Sequence, residues 1–342
     1  MSILEDKQLL EELTERLEKT DFFNSSYPYY TIKIIILFCA LCFVLPILLM
    51  SKNPLVITGA ILCWSFLSGQ FGMIGHDAGH NATSKNLKLN KFYGYLSLSF
   101  VNGSSYYSWL FQHKSHHRYT NIMKADLDIK SNLFIAYFPD EERGDSKIIK
   151  RVKEYQHYYF WLFISTYMFY KRITSLYIAI RYIKKAKFDI VFIVMHYLIM
   201  LILPAYILGL QTAILYYLLY SIVLSIYYSL IFSVNHLGLY PVLPNSKVTD
   251  TFRHLLNHTR TINNQPYLDF LFGGLNYHIE HHLFPNVSIN RYKKGSVIIK
   301  DFCHKKDIPY HNLSFSKALA GVYRQLQWAS HKEKMCGEEK FI

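Results

Sequence analysis

Cysteine is scarce: the chain has five in 342 residues, at Cys39, Cys42, Cys63, Cys303 and Cys336. That number and spacing give no disulfide framework. Cys39-Ala-Leu-Cys42 has the C-x-x-C form but lies inside an apolar run, where packing is its role. Acidic residues are also few, 24 against 37 Lys and Arg, for a formal charge of +13. Such a balance raises a nucleic-acid partner, yet no aromatic-interleaved basic motif and no zinc-finger spacing accompanies it. Anionic lipid head groups are the better counter-charge, and a basic face also suits an acidic electron-donor protein. Leu4–Lys19 is charged and periodic, with no signal-peptide core, and reads as an amphipathic cytosolic helix. No internal repeat or low-complexity tract is evident.

What is abundant is apolar surface. A content of 51% hydrophobic and 17% aromatic residues points to a membrane protein rather than to soluble domains. Four runs approach or reach the roughly 20 residues that cross a bilayer core: Ile34–Met50, Pro54–Ile74, Ile190–Leu210 and Thr212–Val234. Each pair is joined by a few residues, around Ser51–Asn53 and around Gly209–Gln211, which predicts two helical hairpins with their tips on one side. Between the hairpins lie Arg118, Lys150, Arg151, Lys153, Lys171, Arg172, Lys184, Lys185 and Lys187. The tips have almost no basic residues, so the long segment and both termini are expected on the cytoplasmic face. Tyr155–Ile180 is aromatic but broken by Lys171 and Arg172, and reads as interfacial rather than as a fifth span. The expected fold is an all-α integral membrane protein, with four transmembrane helices in two hairpins and a cytosolic helical cap. Residues 1–30 form an N-terminal amphipathic segment and 31–342 a single membrane domain.

Sixteen histidines are present, and half of them fall in three clusters: His76-Asp-Ala-Gly-His80, His113-Lys-Ser-His116-His117 and His278-Ile-Glu-His281-His282. In a helix, positions i, i+3 and i+4 share a face, so each cluster can aim two or three imidazoles at one point. One such pair alone is as readily a chance feature of a solvated face; three clusters, two of them repeating His-x-x-His-His, make a ligand set. Imidazole suits zinc, copper, iron and nickel. Eight ligands exceed the needs of one four-coordinate ion and fit a pair of six-coordinate metals, with two irons the first choice. Asn235 and His236 follow the fourth run at the depth of the first cluster, so His236 is a ninth candidate ligand, or else a helix-end histidine bonded to a carbonyl. Asp77, Asp126, Asp128, Asn235 and Glu280 are candidates to orient imidazoles by accepting from their free N–H, with a loop or cap role equally open for each. His196, deep in the third run, must be hydrogen-bonded or line a cavity. His254 and His258 lie on a basic, polar segment that could touch a lipid head group, and read first as surface histidines.

From about Ser68 to Pro285 the wording resembles the membrane fatty-acid desaturase superfamily. The match rests on His-Asp-Ala-Gly-His, then His-x-x-His-His followed by Tyr119-Thr-Asn121 and Asp126-x-Asp128, then Gly273-Gly-Leu-Asn-Tyr-His-Ile-Glu-His-His-Leu-Phe-Pro285. The resemblance implies a non-haem di-iron centre that uses O2 and two external electrons to remove two hydrogens from an unactivated alkyl chain. It carries ligand roles onto His76, His80, His113, His116, His117, His278, His281 and His282, with His236 as the additional histidine of related enzymes. It also implies a fatty-acyl lipid or acyl-CoA substrate, a setting in the bacterial inner membrane or endoplasmic reticulum, and no nucleic-acid partner. Front-end desaturases, whose third motif is most similar, usually have Gln where this chain has His278, and often carry a fused cytochrome b5 with His-Pro-Gly-Gly. Neither feature occurs here, so the expected electron donor is a separate ferredoxin or cytochrome b5.

An alkyl C–H bond offers a general base nothing to exploit, so the cofactor must supply the oxidant and the protein position and shielding. An apolar tunnel between the hairpins is expected to hold the acyl chain. Hydroxylation, ketolation or acetylenic-bond formation on the same scaffold remains an alternative outcome. A divalent-metal transporter is a remote one, since transport needs ionisable residues along the midplane and His196 alone lies deep.

Overall fold

The computed structural model describes residues 3–139, 146–239, 251–262 and 265–331; Cys336 lies outside them. Apolar segments in a bilayer must satisfy every backbone N–H and C=O internally, and the chain answers with helices. In order these are α1 (Ile3–Glu18), α2 (Tyr27–Met50), α3 (Pro54–Gly79), α4 (Leu87–Gly94), α5 (Tyr106–Arg118), α6 (Lys147–Lys153), α7 (Gln156–Ile164) and α8 (Tyr167–Arg181). There follow α9 (Ile183–Tyr197), α10 (Leu203–Leu208), α11 (Leu210–His236), α12 (Phe252–His258), α13 (Pro266–Leu271), α14 (His278–Leu283), α15 (Ile289–Lys305) and α16 (Phe315–His331). Two-residue strands β1 (Thr261–Ile262) and β2 (Asn312–Leu313) pair in parallel. The chain divides into a span unit, Ser25–Phe111 with Leu162–Ser229, and a ligand unit, Met1–Asn24 with Gln112–Trp161 and Leu230–Ile342.

Among the described residues four helices are long and apolar enough to cross a membrane: α2, α3, Ile183–Leu208 and α11, of 24 to 27 residues. At about 1.5 Å per residue they reach roughly 36–40 Å, more than a hydrocarbon core of about 30 Å. α2 is apolar on all sides. Ile34, Leu37, Leu41 and Val44 are buried, while Ile32, Ile35, Ile36, Phe38 and Phe43 stay exposed, as a lipid-facing helix requires. α3 is longer than its apolar run and continues through Gly79, so His76 lies inside its last turn and His80 caps it. The third span is irregular, with a π-helical turn at Leu198–Ile202 just before Pro204. Tyr155–Ile180 breaks into α7 and α8, neither of membrane length.

Three ionisable side chains buried inside the span unit, Arg172, His196 and Asp189, are hydrogen-bonded. Arg172, grouped above with the basic residues of the cytoplasmic segment, is instead buried. It donates to the Asn102 carbonyl at 2.9 Å and to Ser221 Oγ at 2.5 Å, and lies over the Tyr217 and Tyr220 rings. His196 is a packing histidine, with Nδ1 2.8 Å from Phe100 O and Nε2 3.0 Å from the Tyr217 hydroxyl. Gly103, at φ +68°, allows this packing, because a Cβ there would lie 2.6 Å from the imidazole.

Asp189, fully buried, accepts the Tyr106 amide at 2.6 Å, the Tyr107 amide at 3.4 Å and the Ser99 hydroxyl at 2.7 Å. A carboxylate from α9 thereby caps the start of α5, the helix that carries the second histidine cluster. Asp189→Ala strands these buried donors and is expected to cost about 2–4 kcal/mol, measured by denaturation in detergent; an unchanged midpoint would remove the cap from this account.

In the ligand unit, α1 packs on α12 and α15. Its Leu13 and Leu17 are fully buried, and Asp6–Arg253 and Glu12–Lys306 ion pairs close at 2.5 Å.

Candidate metal centre

The second and third clusters converge inside the ligand unit. α5 ends in His113, His116 and His117, α14 is built almost wholly of the third cluster, and α11 ends on His236. Their nitrogens sort into two groups. His116, His236, His278 and His282, all buried, have ligand atoms within 4.8 Å of one another, and so do His113, His117 and His281. Within each cluster the i, i+4 pair stays together and the i+3 histidine joins the other group. The Nε2 atoms of His116 and His236 are 3.1 Å apart, and those of His236 and His278 2.7 Å. His113 and His117 stand at 3.1 Å, and His117 and His281 at 3.0 Å. Adjacent sites on one ion with metal–nitrogen bonds of about 2.0–2.1 Å are about 3 Å apart, so these spacings fit shared coordination.

The second nitrogen of four of these rings is held in turn. His113 Nδ1 lies 3.2 Å from Asp128 Oδ2, and His116 Nδ1 lies 2.8 and 3.0 Å from the Asp126 oxygens. His281 Nδ1 meets the Tyr292 hydroxyl, and His282 Nδ1 the Thr120 hydroxyl, both at 3.3 Å. A carboxylate can only accept, so His113 and His116 donate from Nδ1 and present a bare Nε2 lone pair to their group. His282 Nε2 is buried with no hydrogen-bond partner among the described residues. Burial, reinforced by the neighbouring imidazoles, holds His282 well below its ordinary pKa, so it stays neutral as a ligand must. On donor chemistry and spacing these residues fit metal ions.

Asp126 is the best-anchored of the orienting carboxylates. It also accepts the amides of Asn121 and Asp128, each at 2.9 Å. Asn121, at φ +57°, in turn donates through its side chain to the carbonyls of His236 and His258, at 3.0 and 3.1 Å. Two expected orienting residues do something else. Glu280 alternates with its histidine neighbours around a short helix and points away from them, accepting from Tyr310 at 2.5 Å and Thr261 at 2.8 Å. Burial pushes its carboxyl above the ordinary range, opposed by those two bonds. Asn235 donates to the Leu275 carbonyl at 3.1 Å, tying the end of α11 to the loop before α14. His254 and His258 are buried rather than on the surface, and His254 Nε2 lies 2.9 Å from the Thr120 carbonyl.

The first cluster belongs to the span unit. The His76 and His80 rings are 5.0 Å apart, both beside Trp109. Gly79 between them is required by that indole, since a Cβ would lie 2.1 Å from it. His76 Nδ1 is 3.2 Å from Asp77 Oδ1, and Asp77 Oδ2 accepts from the buried Tyr30 hydroxyl. Tyr30, Trp109 and Tyr310 carried no signal in the sequence, because each meets its partner across a long stretch of chain.

Membrane-length apolar helices together with grouped buried imidazoles define a class, that of helical membrane metalloproteins. Within it the assignment is direct: a model of the fatty acid desaturase family matches residues 52–314, and the chain belongs to that family. It is 26% identical to the acyl-lipid (9-3)-desaturase of Borago officinalis, over 92% of this chain and 75% of that protein. It is 28% identical to the sn-1 linoleoyl-lipid 6-desaturase of Synechocystis, over 89% and 88%. The Delta(6)-fatty-acid desaturase fat-3 of Caenorhabditis elegans is 26% identical, over 91% and 73%. The protein is therefore an oxidoreductase of fatty-acid metabolism, a desaturase, and neither hydroxylation nor metal transport is favoured.

Proposed function

We propose that this desaturase acts on fatty-acyl chains carried by membrane lipids, using two iron ions, O2 as co-substrate and two electrons from a separate ferredoxin or cytochrome b5. The observation that carries the reading is the division of each His-x-x-His-His cluster between two groups of nitrogens, which supplies two ions where a single group would supply one. His116, His236, His278 and His282 hold one iron, and His113, His117 and His281 hold the other. His76 and His80 are further iron ligands on the strength of the spacing of the first cluster and of family membership. Bound there, the metal pair supplies with O2 an oxidant able to attack an unactivated C–H bond.

The chain's own residues orient and shield. Asp126 and Asp128 fix two imidazole tautomers, Asp77 does the same for His76, and burial keeps water from the site. α2 with α3, and Ile183–Leu208 with α11, form two membrane hairpins with an apolar tunnel between them. The clusters face the cytoplasm, in a bacterial inner membrane or endoplasmic reticulum, and residues 31–342 work as one membrane domain behind the N-terminal segment. The names of the borage and Synechocystis relatives, acyl-lipid and linoleoyl-lipid, favour a lipid-linked substrate over acyl-CoA.

The test is expression in a host of defined, largely saturated lipids, with fatty acids resolved by gas chromatography and double bonds located by mass spectrometry. A new double bond in lipid-esterified chains is expected; an oxygenated product without one would establish the hydroxylase outcome instead. His278 gives a further check, because front-end desaturases usually have Gln there. His278→Gln keeps a lone pair toward the group and is expected to retain product within about tenfold, whereas His278→Ala loses roughly a further tenfold or more. Equal loss in both would remove His278 from the ligands.

A further inference from the structure

The geometry points to Arg260 as a fixed positive charge that raises the reduction potential of the metal pair, an inference that rests on the two-iron reading above. Arg260 is fully buried in the ligand unit. Its Nη2 donates to the carbonyl of Leu237, the residue after His236, which places the guanidinium on the order of 10 Å from the His236 imidazole by bond geometry. Among the described residues Nε and Nη1 have no hydrogen-bond partner, and no carboxylate pairs with the group. On one side of Nη1 the backbone of Gly321 packs close. A Cβ on Gly321 would lie 3.2 Å from Nη1, and a Cβ on Gly238 would lie 2.4 Å from the Gly321 carbonyl carbon. Burial, with Arg324 nearby, pushes Arg260 down to about 9, which still leaves it charged at neutral pH.

An uncompensated buried cation is costly, and a chain that needed only the bond to Leu237 O had neutral donors available. Its position suggests why the charge is there. Asp126 and Asp128 place negative charge behind imidazoles of both groups, which favours the oxidised metals. Arg260 opposes them. A unit charge about 10 Å away, at an effective dielectric near 20, shifts a one-electron equilibrium on the order of tenfold.

The test is redox titration of the purified full-length protein reconstituted with ferrous iron. Arg260→Gln should bind as much iron as wild type and shift its reduced-to-oxidised ratio on the order of tenfold toward the oxidised form, about 59 mV. Arg260→Lys should stay near wild type. A second variant opposes the same charge without touching Arg260: Gln325→Glu keeps the acceptor that Gln325 Oε1 offers to the Gly238 amide, gives up the donation from Nε2 to the Tyr137 carbonyl and adds a negative charge, so the potential should fall again. If wild type binds iron and both neutralising variants titrate as it does, or Lys and Gln at 260 shift equally, the charge role is overturned. If wild type binds no iron, it is the two-iron reading that has failed.

Discussion

His281→Ala is expected to abolish desaturation, lowering product more than about 100-fold, and to release iron from its group. The imidazole is fully buried, with Nε2 3.0 Å from His117 Nε2 and Nδ1 against the Tyr292 hydroxyl. Alanine removes a donor that no neighbour can replace. His304, in the last turn of α15, is the matched control: it lies outside both nitrogen groups, and His304→Ala should desaturate normally. Lipid profiles of the two variants in the same host decide the point, and comparable products from both would mean that His281 is not a ligand.

Asp126→Ala is the second large effect. The carboxylate is buried and serves three parts of the chain at once: the His116 imidazole, the Asn121 amide and the Asp128 amide. Loss of an imidazole's carboxylate partner typically costs 10–100-fold in metal affinity. Stranding the buried Asn121 amide adds about 1–3 kcal/mol of destabilisation. Asp126→Asn separates the two effects, since the side-chain oxygen can still accept one amide while the charge is lost. Chelator competition should show weaker metal binding in both variants, and unfolding in detergent a larger loss for Ala. Wild-type metal affinity in Asp126→Asn would mean that the contact to His116 is incidental.

The candidate ligands were legible because their spacing is itself a geometric instruction. An i, i+3, i+4 set of histidines lands on one helix face wherever the helix goes; α5 and α14 each keep their i, i+4 pair in one group and turn the i+3 histidine to the other. The four candidate spans were legible for the same kind of reason, as length and apolarity decide whether a helix can cross a bilayer. Pairing across the chain was not. Asp77 was expected to orient an imidazole and contacts His76, but its Tyr30 partner lies 47 residues away. Thr120 is 162 residues from His282. Neither pairing shows in local spacing. Glu280 and Asn235 show the converse error, since proximity in sequence to a ligand says nothing of direction. On the turn of α14 that places histidines inward, Glu280 faces Tyr310 and Thr261. His254 and His258 misled because a polar, basic segment looks solvated, whereas α12 packs on α1 and α14 and buries both rings.

Metal stoichiometry tests the central claim most directly. Full-length protein purified in detergent and assayed for iron by plasma mass spectrometry should hold about two ions per chain. Because each group draws on both His-x-x-His-His clusters, His282→Ala and His281→Ala should each fall below that value. Active protein holding a single ion per chain, or none, would contradict the account.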